Sequence, residues 1–133
     1  RQRTTTPTWS GSGRGPRLRV LIESADPALA VSDFAAFTAA GIDVAICHGP
    51  DRTPAECPLV RDEPCRLYAG ADVVLFDRGS PAGEVLEAAR RLHPATPVVL
   101  RGDAAGAPEG CESLPATSSV KGQIGVLRRL AGG

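Results

Sequence analysis

The sequence predicts an α/β domain built on a parallel sheet, and three observations carry that expectation. Short apolar runs rich in Val, Leu and Ile recur along the chain, and a buried parallel strand has this composition. Segments with apolar residues at helical spacing alternate with those runs. The total of 133 residues is the size of one domain, long enough to bury a core without staples.

The first run, 18–23, holds Val20, Leu21 and Ile22 in succession, as in a strand covered on both faces. Asp26 followed by Pro27 reads as a helix start. Leu29, Ala30, Phe34 and Phe37 supply that helix with an apolar stripe, and Gly41 ends it. A second strand at 42–47 follows at once, which makes a strand-helix-strand unit with a right-handed crossover. The third strand falls at 72–76. Ser80 as cap, Pro81, and apolar Val85, Ala89 and Leu92 predict the next helix, and 97–100 reads as the fourth strand. A weak fifth strand at 112–114 precedes a helix capped by Ser118. Val120, Ile124, Leu127 and Leu130 form the stripe of that helix, and Gly132 and Gly133 its exit.

Two connections break the rhythm. The 24 residues of 48–71 contain Pro50, Pro54, Pro58 and Pro64, and predict an irregular segment with one helical turn at 53–56. The stretch 101–111 is rich in Gly and Ala and lacks a helix signal. Three helices and five strands result, in a flavodoxin-like three-layer sandwich with a parallel sheet of order 2-1-3-4-5 and some helices shortened or lost. Ligands of such sheets sit beyond the carboxyl ends of the strands. The domain spans 17–131. Residues 1–16 carry Arg1, Arg3 and Arg14 among Thr, Ser, Gly and Pro, with Trp9 as the one aromatic, the composition of a disordered basic tail or linker.

Fifteen basic and fifteen acidic side chains cancel, so no overall field marks a nucleic-acid or anionic-membrane binder. No run reaches the roughly 20 apolar residues that span a bilayer, and the polar start lacks the apolar stretch of a signal peptide. The chain opens without Met, as a fragment of a longer protein does. Four cysteines, Cys47, Cys57, Cys65 and Cys111, without a secretory signal predict reduced thiols and a cytoplasmic setting. Cys57 and Cys65 flank the Pro-rich "CPLVRDEPC", and a disulfide between them would contribute roughly 2.5 kcal/mol by restricting the unfolded chain. They are the candidate redox pair. Cys47, His48, Cys57 and Cys65 match no short zinc motif, and no metal is assigned to them. Cys47 and Cys111 are expected to pack as small apolar groups, and His93, before Pro94, to cap a helix or lie at the surface. The glycine-rich "GSGRGP" precedes the first strand, whereas a dinucleotide fingerprint follows it.

The texts "VLIESADPAL", "DVVLFD" and "EVLEAARRLHPATPVVL" are similar to the response-regulator receiver family, and the similarity runs through most of 18–130. The resemblance implies a cytoplasmic signalling domain of bacterial two-component type, not an enzyme, with a protein partner and with neither membrane nor nucleic acid. It makes Asp77 the candidate phosphoacceptor. Phosphoryl transfer to a carboxylate needs Mg²⁺ held by neighbouring oxygens, and receivers supply an acidic pair after the first strand. Here that pair aligns with Ser24 and Ala25, or with Glu23 and Ser24, so Glu23, Ser24 and Asp26 are a vestigial acidic site. The Ser or Thr that ends the family's fourth strand and the Lys that ends its fifth are absent from Leu100, Arg101, Gly102 and from Leu114–Thr117. Arg101 and Lys121 are the cations that could stand in.

The expectation is an atypical receiver-like interaction domain, a pseudo-receiver not phosphorylated by the usual Mg-dependent route, in which Asp77 caps a turn or makes a local hydrogen bond. Cofactors are none, with Mg²⁺ only if Asp77 is phosphorylated. Two alternatives stand beside it: a working phosphoacceptor with non-standard ligands around Asp77, and a thiol- or metal-responsive switch through Cys57 and Cys65.

Overall fold

A computed structural model of the chain describes residues 17–24, 26–47, 59, 63–77, 83–102, 111–115 and 117–132. Five strands, β1 (Arg19–Ser24), β2 (Asp43–Cys47), β3 (Val73–Asp77), β4 (Val98–Arg101) and β5 (Glu112–Leu114), form one sheet. Its order is β2-β1-β3-β4-β5, and every pairing is parallel. Helices α1 (Pro27–Ala39), α2 (Arg66–Gly70), α3 (Gly83–Leu92) and α4 (Val120–Gly132) lie between and after the strands. The architecture is the predicted three-layer sandwich.

Alternation along the strands divides the core in two. Val20 and Ile22 of β1, Val73 and Leu75 of β3 and Val99 of β4 meet Phe37 of α1 and Leu127 of α4. Leu21, Val74, Phe76, Val98 and Leu100 point the other way, against Leu67 and Tyr68 of α2 and Leu86 and Ala89 of α3. Leu59, from the long connection after β2, joins this second cluster.

The α1 boundaries follow from local chemistry. Asp26 caps the start, its Oδ1 accepting from the backbone N–H groups of Ala28 and Leu29 at 3.0 and 3.3 Å. At the far end Ile42 N–H bonds Phe37 O and Gly41 N–H bonds Thr38 O. This is the Schellman pattern, whose left-handed residue is Gly41 at φ +84°. At the amino edge of the sheet Arg19 joins three strands' ends: its N–H meets Asp72 Oδ2 at 2.9 Å and its Nε meets Asp43 Oδ2 at 3.3 Å.

Several expectations need correction. The segment before β3 is not irregular throughout, because Arg66–Gly70 forms a helix on which Leu67 and Tyr68 are buried. The prolines at 50, 54, 58 and 64 all precede it. The expected turn at 53–56, the Ser80–Pro81 start of α3 and most of 101–111 lie outside the described residues. In α1 the stripe faces differently: Ala30 and Phe37 are buried, whereas Leu29 and Phe34 stand out into solvent. The cap of α4 is Ser119, whose Oγ accepts from Gly122 N–H at 3.0 Å, rather than Ser118, and Gly132 still belongs to the helix. Strands β1, β3 and β4 each run one residue beyond the predicted apolar run. The added residues are Ser24, Asp77 and Arg101.

The two phenylalanines of α1 provide a check on its orientation. Phe37→Ala should lower the unfolding free energy by about 3–5 kcal/mol, the cost of emptying a closed apolar site. Phe34→Ala, at a half-open position, should change it by less than about 1 kcal/mol. Urea unfolding of the two variants distinguishes these outcomes.

Candidate functional site

The polar ends of three strands meet at the carboxyl edge of the sheet. Ser24 pairs in register with Asp77, and Arg101, the last residue of β4, projects to the face covered by α1 and α4, as Val99 does two residues earlier. Arg101 is only 5 % exposed. A guanidinium in such a place must find partners for its charge and donors.

It finds three side chains on three elements. Nη2 lies 2.6 Å from Asp33 Oδ2 and Nη1 3.2 Å from Asp33 Oδ1, the two-pronged geometry that suits a planar fork to a carboxylate. Nη2 also forms an ion pair with Asp77 Oδ2 at 3.0 Å, and Nη1 donates to Gln123 Oε1 at 2.8 Å. The Gln123 amide is oriented in turn by donating Nε2–H to Ser118 O at 2.9 Å. Asp33 sits on α1 and Gln123 on α4, both buried. Burial alone would disfavour the charged guanidinium, but the hydrogen bonds and charges of Asp33 and Asp77 outweigh it and raise the Arg101 pKa above its ordinary value.

The three residues of the vestigial acidic site, Glu23, Ser24 and Asp26, have different surroundings. Ser24 is fully buried and its hydroxyl is engaged with the Asp26 backbone at 3.3 Å. Asp26 is exposed and spends a carboxylate oxygen on the α1 cap. Glu23, 3 % exposed, faces the other side of the sheet, toward α2. Burial first, then the charges of Glu23, Cys65 and Cys47, push the ionisation of the Tyr68 hydroxyl well above its ordinary 10.0, so the phenol stays protonated against them.

Asp77 makes a long-range ion pair with Arg101, and residues 78–80, with which it would cap a turn or make a local hydrogen bond, lie outside the described residues. Arg101 is not a spare phosphate-binding cation, since both terminal nitrogens already serve two partners each. Lys121 is exposed in the first turn of α4. Mg²⁺ prefers octahedral oxygen ligands and usually takes one or two carboxylates. Here the carboxylates of Asp33 and Asp77 meet a guanidinium, and a neutral hydroxyl stands at Ser24. These residues do not fit a magnesium site. Among the described residues no three His, Cys, Asp or Glu side chains are grouped to hold a metal ion.

Around α2 a second polar cluster forms. Cys65 N–H donates to His93 Nε2 at 2.9 Å, and the His93 ring stacks on Tyr68, centroids 5.5 Å apart at 23°. His93 follows the last residue of α3, where its N–H donates to Ala89 O at 2.8 Å, as expected of a residue at a helix end, but its ring does not lie open at the surface. It is half-buried and ties the start of α2 to the end of α3. Cys47, Cys65 and Cys111 are thiols and pack against the α2–α3 core. His48 and Cys57 lie outside the described residues.

Sequence reasoning did not find Asp33 or Gln123. Each had a signal: Asp33 lies between Ala30 and Phe37 on the buried stripe of α1, and Gln123 precedes Leu127 by one turn on α4. A polar residue in a core stripe needs a buried partner.

Two measurements test these networks. Arg101→Met leaves the Asp33 and Asp77 carboxylates facing each other in a dry site, and should destabilise the fold by about 3–5 kcal/mol. Asp77→Asn should cost less because Asp33 keeps its two bonds, and the double variant should lose less than the sum in urea unfolding. His93 accepts a hydrogen bond only when Nε2 is unprotonated, and desolvation lowers its pKa from 6.5. Its contribution is thus whole above the unfolded value near 6.5 and lost as pH falls through the lower folded value. The stability difference between the protein and His93→Gln should shrink as pH is lowered from about 7.5 to about 5.

No protein-family profile and no curated protein sequence matches the chain. Solved structures do. A response regulator receiver protein from Sinorhizobium medicae superposes with a TM-score of 0.65 at 16 % identity, covering 89 % of this chain and 97 % of that one. The receiver domain of a Pseudomonas aeruginosa sensor histidine kinase, with a magnesium ion coordinated in its active-site cleft, gives 0.66 at 15 %, covering 88 % and 99 %. A receiver domain protein from Clostridium thermocellum gives 0.67 at 16 %, covering 86 % and 94 %. With its sheet order and flanking helices, the chain has the fold of response-regulator receiver domains.

Proposed function

We propose that this chain is a receiver-like signalling domain that acts as a non-enzymatic protein-interaction module and is not phosphorylated by the Mg-dependent route. The observation that carries the reading is the Arg101 guanidinium, 3.0 Å from the Asp77 carboxylate and buried between it and Asp33. An aspartate attacks a phosphodonor with a free oxygen while a metal offsets the charge on both reactants. Asp77 already has a cation, and that cation is fixed by two further partners on α1 and α4. Displacing it would leave two carboxylates unpaired in a site that little water reaches, which opposes the addition of a further dianionic group. The neutral Ser24 opposite Asp77 supports the same reading, since it adds no ligand charge. A protein partner then reads the surface of a single resident state.

Amide shifts around Asp77 on addition of Mg²⁺ with beryllofluoride, and intact mass after incubation with acetyl phosphate, test this reading. The expected result is no saturable shift and no phosphoryl adduct. Shifts at Asp77 that saturate and vanish in Asp77→Asn would establish instead a working phosphoacceptor with Arg101 as an unusual ligand.

A further inference from the structure

Two hydrogen bonds tie α2 to the turn between α3 and β4. Cys65 N–H donates to His93 Nε2 at 2.9 Å, and Thr96 Oγ1 donates to Tyr68 O at 3.4 Å. The turn is itself closed by Thr96 N–H on His93 O at 3.1 Å. The Thr96 bond to α2 is long for a hydroxyl donor, so His93 is the stronger hold. Helix α2 has only five residues, and its cap position, Cys65, makes no side-chain bond to the first turn. What it covers is apolar: Leu67 and Tyr68 are buried against the sheet face that points away from Arg101.

We propose that His93 is an acid-released catch for α2: a proton on Nε2 breaks the bond from Cys65, and the helix lifts more often from Leu21 and Phe76 beneath it. The inference goes beyond the function proposed above and does not depend on whether Asp77 accepts phosphate. A backbone N–H is a donor at every pH, so this bond needs the lone pair of a neutral ring. In the imidazolium two N–H groups would face each other across the same 2.9 Å. Of the titratable groups around the ring, Cys65 and Tyr68 lie on α2 and Arg90 and Arg91 on its own helix, whereas Glu23 of β1 and Cys47 of β2 act on the Tyr68 hydroxyl. The closed form therefore takes up a proton less readily than the lifted one, whose ring titrates near an ordinary 6.5. The opening constant is level above that pH, rises as pH falls, and levels again below the lower value of the closed form. One hydrogen bond changes it roughly three- to tenfold. The packing of Leu67 and Tyr68 remains, so the catch modulates a minor open population, as local openings of small elements do.

Amide exchange of the full chain by NMR from about pH 7.5 to about pH 5, corrected for the pH dependence of the free-chain rate, tests the proposal. Ala69 N–H bonds Cys65 O and Ala71 N–H bonds Tyr68 O, so both report on α2. Their opening constant should exceed that of the β1 and β3 amides at every pH, and should rise roughly three- to tenfold with acid, at the midpoint of the His93 ring titration. His93→Phe, which keeps a ring on Tyr68 and removes the acceptor, should hold the raised value across the range. Opening of α2 only together with the strands, an opening constant that does not change with pH, a rise that follows the His48 titration instead, or a rise that persists in His93→Phe overturns the proposal. The match of midpoints is read in the unaltered protein, so the test stands where the variant folds poorly.

Discussion

Everything at the carboxyl edge of the sheet depends on one buried cation. Arg101 leaves β4 on the side covered by α1 and α4, where a charge without partners would cost several kcal/mol. Asp33, Asp77 and Gln123 are arranged so that both terminal nitrogens of the guanidinium are used. A lysine could not do this, because its ammonium is a point donor without a fork. Since Asp33 and Gln123 must reach the same group, the rotation of each helix about its own axis is set by a polar requirement as well as by Phe37 and Leu127 beneath it. The orientation of α1 that results turns Leu29 and Phe34 away from the core.

The opposite face of the sheet handles its polar strand end differently. Glu23 and Ser24 are neighbours in sequence and therefore lie on opposite faces. Ser24 joins the Arg101 side as a small neutral group. Glu23 joins the α2 side, where the Tyr68 hydroxyl stays protonated beside it and His93 stacks on the phenol ring. Position 24 lies in register with Asp77, so an acidic residue at 23 does not supply a ligand for that aspartate. A sequence alignment that slides by one residue would exchange these two roles, and the strand register decides between them.

The sheet was legible from the chain because its information is local. Val20 to Ile22, Val73 to Phe76 and Val98 to Leu100 are apolar runs whose meaning needs no distant partner, and the Asp26 and Gly41 signals that bound α1 are contained in a few residues. What escaped was the non-local part. Tyr68 reads as one aromatic in a proline-rich connection until it meets Glu23 and His93 from other elements. Asp33 is separated from Arg101 by 68 residues, and the apolar text around it favours a simple helix stripe. The buried stripe of α1 differs from the expected one for the same reason. Leu29 and Phe34 are more hydrophobic than Asp33, and only the buried guanidinium makes the aspartate the inward-facing residue.

The covalent attachment of Arg101 to β4 changes what kind of variable the site responds to. A dissociable ion occupies its ligands in proportion to its free concentration, whereas a guanidinium carried on the adjacent strand is held at an effective concentration far above that of any solute. One positive charge is thus set between the Asp33 and Asp77 carboxylates as part of folding.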